Sequence, residues 1–251
     1  MKHKILISAY ILIVAFLSPS LLHGEGEIAA DDILLKADEV RNPQLDFTTL
    51  VKVTSLKHNR APSVATYEVM IKGRGNTVIK TLTPPIDRGR VLLMLGRDMW
   101  AFLPDVSKPL RISLRERLLG EVANGDIARV NYYGDYTAEI LRAEDIEARS
   151  YYVLSLTAKT DDVTYAKGIL WVDKENFKPL KAEFYGISGR LLKTCSYESY
   201  KELAGRKRPS RLIMHDPIVK GQMSTIEYGN MDVAPLPDKY FTKDYMKKFM
   251  E

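Results

Sequence analysis

Apolar residues recur with two different periods along this chain. Ile33, Ala37 and Val40 stand at helical spacing, Asp31 or Asp32 is placed to cap the start, and Pro43 stops the run. Beyond Pro43 the period drops towards two. Phe47–Leu56, Ser63–Lys72 and Asn76–Thr83 are rich in Val, Thr, Ile and Tyr and are separated by turn formers at Asn59–Pro62 and Gly73–Asn76, which predicts three strands. Arg90–Leu95 and Met99–Leu103 flank Gly96-Arg97-Asp98 as a hairpin. From Ser113 to Asn131 the rhythm breaks. Leu114 and Leu118 lie four apart while Gly120, Gly125 and Asp126 interrupt, which predicts short helices and a mobile loop.

Strands then resume over Tyr136–Arg142, Tyr151–Ala158, Thr164–Val172, Lys178–Tyr185, Leu191–Leu203, Arg211–His215 and Ser224–Val233. Phe241, Tyr245 and Phe249 form one apolar stripe on a last helix. So many strands with almost no helix between them exclude a βαβ arrangement and predict an antiparallel meander in a single domain, residues 25–251. Trp100, Phe102, Trp171 and Phe184 are the large candidates for its inner face. With two or three short helices to cover a sheet of this size, those residues either pack on one another or line a cavity; composition alone favours packing.

The N-terminal pattern differs from both. Lys2, His3 and Lys4 precede an uncharged apolar run, Ile5–Leu17, followed by Ser18 and Pro19. That is the layout of a secretory signal peptide, 1–24, with cleavage expected after Gly24 or as late as Ala30. The run falls short of the about 20 residues that span a bilayer. The formal charge of +5 becomes +3 once Lys2 and Lys4 are removed, and both signs are interspersed, so no nucleic-acid partner is implied. Cys195 is the single cysteine; an exported chain with one cysteine holds no internal disulfide, and a strand-like setting predicts a buried, inert thiol.

The search for chemistry is mostly negative. His58 lies in a polar turn, His215 ends a strand, and no HExxH or other metal-ligand spacing occurs, so no metal or cofactor is expected. Gly186-Ile187-Ser188-Gly189 lacks the spacing of a nucleophile elbow and reads as a hairpin turn. Two basic clusters stand out. Gly205–Pro209 with Arg211 reads as a solvated turn. Arg111, Arg115 and Arg117 surround Leu114, Leu118 and Leu119, a pattern suited to a positive, amphipathic lid that meets lipid headgroups or a partner.

Longer motifs resemble a known family. KGRGNTVIKTLTPPIDRGRVLLMLGRDMWAFLPDVSKPLRIS (Lys72–Ser113), NGDIARVNYYGDYTAEIL (Asn124–Leu141), YYVLSLTAK (Tyr151–Lys159), GILWVDKENFKPLKAEFYGISGRLLKT (Gly168–Thr194) and LPDKYFTKDYMKKF (Leu236–Phe249) together resemble the outer-membrane lipoprotein-sorting proteins, the LolA-like carriers. The most specific elements are Met99-Trp100-x-Phe102-x-Pro104, Leu170-Trp171-Val172-Asp173 and the ending that runs from Leu236-Pro237-Asp238 to Phe241-Thr242. The resemblance implies an unclosed β-barrel, a strongly bent antiparallel sheet with helices over a hydrophobic cavity. It also implies periplasmic location, no catalysis, and a lipid or acylated lipoprotein as ligand, with transient membrane contact and an inner-membrane exporter complex as a further partner. It shifts the expectation from packing to a cavity. The candidate lining is Leu93, Leu95, Trp100, Phe102, Leu154, Leu156, Trp171 and Phe184, with Trp171→Asp expected to abolish uptake. A one-residue slip in strand register would invert every one of these assignments. The alternative is a non-catalytic adaptor or sensor that binds an exporter or membrane protein.

Overall fold

The computed structural model describes residues 28–129 and 131–250; the expected signal peptide therefore lies outside the described residues. Helix α1 (Ala30–Arg41) precedes strands β1 (Phe47–Leu56), β2 (Ser63–Lys72), β3 (Asn76–Thr83), β4 (Val91–Leu95), β5 (Asp98–Phe102) and β6 (Leu110–Ile112). A small hairpin, β7 (Arg117–Leu119) and β8 (Val122–Ala123), runs into helix α2 (Asn124–Ala128). The second half is β9 (Tyr136–Ile146), β10 (Arg149–Ala158), β11 (Lys167–Asp173), β12 (Pro179–Tyr185), β13 (Leu191–Leu203), β14 (Arg206–His215) and β15 (Met223–Val233). Two 3-10 turns and helix α3 (Met246–Met250) follow.

All strands but β7 and β8 form one antiparallel sheet in the order β6-β5-β4-β3-β2-β1-β15-β14-β13-β12-β11-β10-β9. The first and last long strands pair at its centre, Phe47 opposite Val233 and Leu56 opposite Met223. Each half of the chain meanders outward from there, and the two edges, β6 and β9, do not pair, so the barrel is unclosed. The segment between those edges, 113–135, carries β7, β8 and α2 across the gap.

Alternation decides what faces inward. Phe47, Val51 and Val53 on β1, Tyr67, Val69 and Ile71 on β2, Leu154 and Leu156 on β10, and Leu212 and Met214 on β14 enter one large core with Ile33, Leu34 and Ala37 of α1. Leu114, Val122 and Ile127 of the bridging segment complete it. A second cluster lies on the opposite face of β2–β5: Met70, Val78, Val91, Leu93 and Phe102 pack under Phe241 and Met246 of the C-terminal segment. That is why β4 reads Val-Leu-Leu-Met-Leu without alternation: both its faces are covered.

Several sequence expectations need correction. Neither Asp31 nor Asp32 caps α1; the cap position is Ala29, and Asp31 instead accepts the Ala138 N–H at 3.1 Å, tying the helix to β9. The bridging segment is a hairpin and one helix instead of a loop with several helices. The C-terminal stripe is not one helix, because Thr242 is extended; Tyr240, Tyr245 and Phe249 gather through ring contacts of 5.0–5.4 Å instead.

The basic turn at 205–209 differs most. The turn itself is Ala204-Gly205, both at positive φ, and Arg206–Pro209 belong to β14. Arg208 is buried and donates to the carbonyls of Leu203 (3.0 Å), Glu39 (2.5 Å) and Val40 (3.2 Å). The last carbonyls of a helix lack internal partners, and here a strand arginine supplies them. Arg208→Ala strands these acceptors in the interior and is expected to lower unfolding free energy by about 3 kcal/mol; a denaturant titration reads it, and an unchanged midpoint would refute the capping role.

Candidate functional site

The chemistry gathers where the bridging segment plugs the concave face. Gly120 turns the β7–β8 hairpin at φ +58, directly over the central strands. A Cβ there would overlap Ser55 Oγ and Ser224 Oγ, so this close approach needs glycine. Glu121 N donates to Ser224 Oγ at 2.9 Å, and Arg115 Nε donates to the Val163 carbonyl at 2.9 Å. Gly125 of α2 presses on Thr164, whose Oγ1 a Cβ would likewise overlap. The stem of the segment is held by Arg129, which grips Asp135 with two nitrogens.

Behind this plug the interior is polar as well as apolar. Asp38 and Arg41 of α1 are both buried and paired at 3.0 Å. Asp38 Oδ2 also accepts the N–H groups of Tyr132 and Tyr133, each at 2.7 Å, which pins the segment's stem to the helix. The Arg41 guanidinium lies over the Tyr132 ring at 4.0 Å and the Tyr197 ring at 5.6 Å. Tyr132 and Tyr197 share a hydroxyl contact at 3.2 Å, and Tyr165 donates to Asp126 Oδ1 at 2.6 Å while stacking on Phe184 at 4.4 Å. Lys193, also buried, reaches Asp126 at 3.2 Å and the Glu121 carbonyl.

Burial dominates the titration of this cluster. It lifts the Asp38 carboxyl to about 6, although Arg41 and the two tyrosine amides pull the other way. It pushes the Cys195 thiol to about 12, which leaves no thiolate nucleophile near neutral pH. For Arg41 burial acts against the charge, yet Tyr132, Tyr197 and Asp38 outweigh it and the guanidinium stays charged.

The free space is divided. Among Arg41, Asp126, Tyr132, Tyr165, Cys195 and Tyr197 only about 20 Å³ remains, the room of a single water. Of the candidate cavity residues on this face, Leu154, Leu156 and Phe184 are buried in the core. Beside the plug, a groove of about 650 Å³ opens between Arg115, Arg117 and Glu121 on one side and Ile187, Arg190, Leu192, Lys193, Asp216 and Ile218 on the other. That volume lies within the range of small-molecule sites.

The predicted site residues fall into three places. Leu154, Leu156 and Phe184 line the inner core. Leu93, Leu95, Trp100 and Phe102 lie on the outer face, under the C-terminal segment. Trp171 is also outward, packed with Tyr151 and Val153, its indole N–H donating to Glu144 Oε2 at 3.1 Å. The inner positions of β4 and β5 are their neighbours, Leu92, Met94, Met99 and Ala101. Leu114 is buried in the core, while Leu118 and Leu119 are half-buried against it. Arg115 and Arg117 border the groove; Arg111 does not, and pairs with Asp98 on the adjoining strand. Missed altogether were Asp38, Arg41 and the groove's far wall. The helix periodicity held the signal for the first two: Asp38 follows Leu34 by four, and Arg41 follows Ala37 by four, on the apolar stripe.

A family model described only as an uncharacterized protein matches residues 73–248. The crystal structure of a LolA superfamily protein from Nitrosomonas europaea is 47% identical, with a TM-score of 0.84, over 87% of this chain and 100% of that one. An outer-membrane lipoprotein-sorting protein domain from Vibrio parahaemolyticus shares the fold at 21% identity, TM-score 0.74, over 87% of this chain and 98% of that one. A DUF1329 family protein from Desulfovibrio piger does so at 20% identity, TM-score 0.75, covering 86% and 97%. A comparison with curated proteins found no match.

Proposed function

This chain belongs to the LolA superfamily, whose fold is of the carrier type, and we propose that it is a periplasmic carrier that shelters the acyl part of a lipid or lipoprotein between the sheet and the bridging segment. It performs this without catalysis, as a single exported domain over residues 25–251. The observation that carries the reading is the construction of the plug. An apolar concave face is covered by a short segment, 113–128, held by three buried side chains, Leu114, Val122 and Ile127, and by polar contacts: Ser224 to Glu121, Val163 to Arg115, Asp126 to Lys193. The polar contacts are exchanged for water at modest cost, and an acyl chain entering beneath the segment supplies new apolar cover for Leu114, Val122 and Ile127. Displacing the segment exposes Leu154, Leu156, Phe184 and their neighbours. Each acyl methylene buried there contributes about 0.8 kcal/mol.

Native mass spectrometry of the protein purified from periplasm without detergent is expected to show an adduct that leaves on organic extraction. Uptake of a fluorescent acyl probe then locates it. Phe184→Asn, on the inner face, is expected to reduce uptake at least tenfold with the circular dichroism of the sheet intact. Phe102→Asn, on the outer face beside a second groove of about 850 Å³ under the C-terminal segment, leaves uptake unchanged. The reverse pattern moves the ligand to the outer groove. An apo protein that refuses acyl probes overturns the carrier reading in favour of an adaptor.

A further inference from the structure

The rim around the plug has a composition that neither the core nor the carrier reading explains. Ile187, at the tip of the β12–β13 turn, is 73% exposed, and Ile218, at the tip of the β14–β15 turn, is 65% exposed. Val219 beside it is exposed too. Ile187 and Ile218 border the same groove, next to the β7–β8 hairpin. On the hairpin's other side, Leu118 and Leu119 adjoin Pro84, Asp87 and Arg90, in the turn whose tip is Ile86, 89% exposed. Each tip is followed within three residues by a cation: Arg88, Arg190 and Lys220. The turns at the opposite ends of these strands, 73–75, 96–97, 174–178 and 204–205, carry no exposed large apolar side chain. Single exposed apolar residues are ordinary; three turn tips gathered round one opening are not scattered.

The charges of the rim point to the partner. Arg115, Arg117, Arg190 and Lys193 line the groove against two carboxylates, Glu121 and Asp216. Both carboxylates are engaged locally. Asp216 accepts the N–H groups of Ile218 (2.7 Å) and Val219 (2.9 Å), which shapes its own turn, and Glu121 accepts Gln222 Nε2 at 2.6 Å. The side chains of Arg117 and Arg190 are exposed and make no hydrogen bond or ion pair among the described residues; burial raises the Asp216 carboxyl, but the Val219 and Ile218 N–H groups and then the charges of Arg117 and Arg190 hold it below its usual value. Apolar tips flanked by solvent-exposed cations match a surface that is anionic outside and hydrocarbon just beneath.

We propose that the rim formed by the 186–190 and 216–222 turns, with Arg117 and Arg190 between them, is a membrane-docking face: Ile187, Ile218 and Val219 enter the interfacial layer while the arginines meet anionic headgroups. The geometry sets the plug hairpin against the bilayer, so that the opening of the concave face is directed at the membrane. This does not rest on the carrier reading; docking stands whether or not an acyl chain enters the interior, and the vesicle assay reads docking alone.

The test is co-sedimentation of the purified protein with vesicles of equal parts phosphatidylglycerol and phosphatidylcholine, against pure phosphatidylcholine. Partition onto the anionic vesicles is expected to be at least tenfold stronger and to weaken as salt is raised. The double variant Ile187→Asp, Ile218→Asp is expected to lose about tenfold, and Arg117→Glu with Arg190→Glu a similar factor. Leu45→Asp, an equally exposed leucine before β1 at the other end of the molecule, leaves partition unchanged. The two tip substitutions lie on exposed turns and leave the thermal midpoint near that of the parent. Absence of anionic-vesicle binding, or binding that the double variant retains, overturns the proposal. So does a solution dimer that the same variant dissolves without any vesicle binding, because the rim is then a contact between copies of this chain.

Discussion

Asp38→Ala is expected to cost about 3–5 kcal/mol of unfolding free energy, the loss that follows when one partner of a buried ion pair is removed. Three interactions go at once: the 3.0 Å pair with Arg41 and the two 2.7 Å bonds donated by the Tyr132 and Tyr133 N–H groups. The guanidinium is then left charged in the interior, over the rings of Tyr132 and Tyr197. Asp38→Leu combined with Arg41→Met removes both charges and is expected to recover much of the loss, because the desolvation cost disappears with the pair. Chemical denaturation of the parent, Asp38→Leu, Arg41→Met and the double variant reads this directly. A double variant whose loss equals the sum of the two single losses would show that the pair is not coupled.

The same carboxyl makes stability depend on pH. Its pKa rises from 3.8 in the unfolded chain to about 6 in the fold. Between those values the folded protein holds a proton that the unfolded chain has released. Stability from this group is therefore greatest below pH 4, falls as pH rises towards 6, and is level above it. The full swing is roughly 3 kcal/mol. Asp38→Asn lacks it, so the gap in melting temperature between the parent and this variant is expected to shift against the parent as pH rises from 4 to 6 and to stay constant beyond. A gap that is flat through that window would mean the carboxyl titrates as in the unfolded chain.

Most of the strand architecture was legible because alternation is a local signal. β1, β2, β3 and β13 begin and end where the sequence pattern places them. The unclosed antiparallel sheet and the family follow from the motif order, as the LolA superfamily relative bears out. What the pattern could not supply is which face of β4 and β5 turns inward. Val91, Leu92, Leu93 and Met94 are all buried, since one set meets the core and the other meets Phe241 and Met246, more than a hundred residues further on. Arg208 and the Asp38–Arg41 pair escaped for a related reason: a buried charge is recognisable only from the distant partners that satisfy it.

The bridging segment admits a test in which substitution at a single glycine moves the plug. Gly120→Val is expected to raise acyl-probe uptake several-fold while leaving the sheet intact. Two effects act together. A β-branched residue at φ +58 costs about 1–3 kcal/mol in backbone strain, and its Cβ would overlap both Ser55 Oγ and Ser224 Oγ. The hairpin relieves both by lifting from β1 and β15, which breaks the Glu121 N–Ser224 Oγ bond and uncovers the inner face near Leu118 and Val122. Gly73 supplies the matched control. It has the same φ, +58, but nothing within 4 Å of a Cβ, and its turn lies at the other end of β2 and β3. Gly73→Val therefore carries the strain without the collision. If it raises uptake as much as Gly120→Val does, general loosening is responsible and the hairpin is not a lid; if only Gly120→Val does, the opening lies where β7 and β8 cross the central strands.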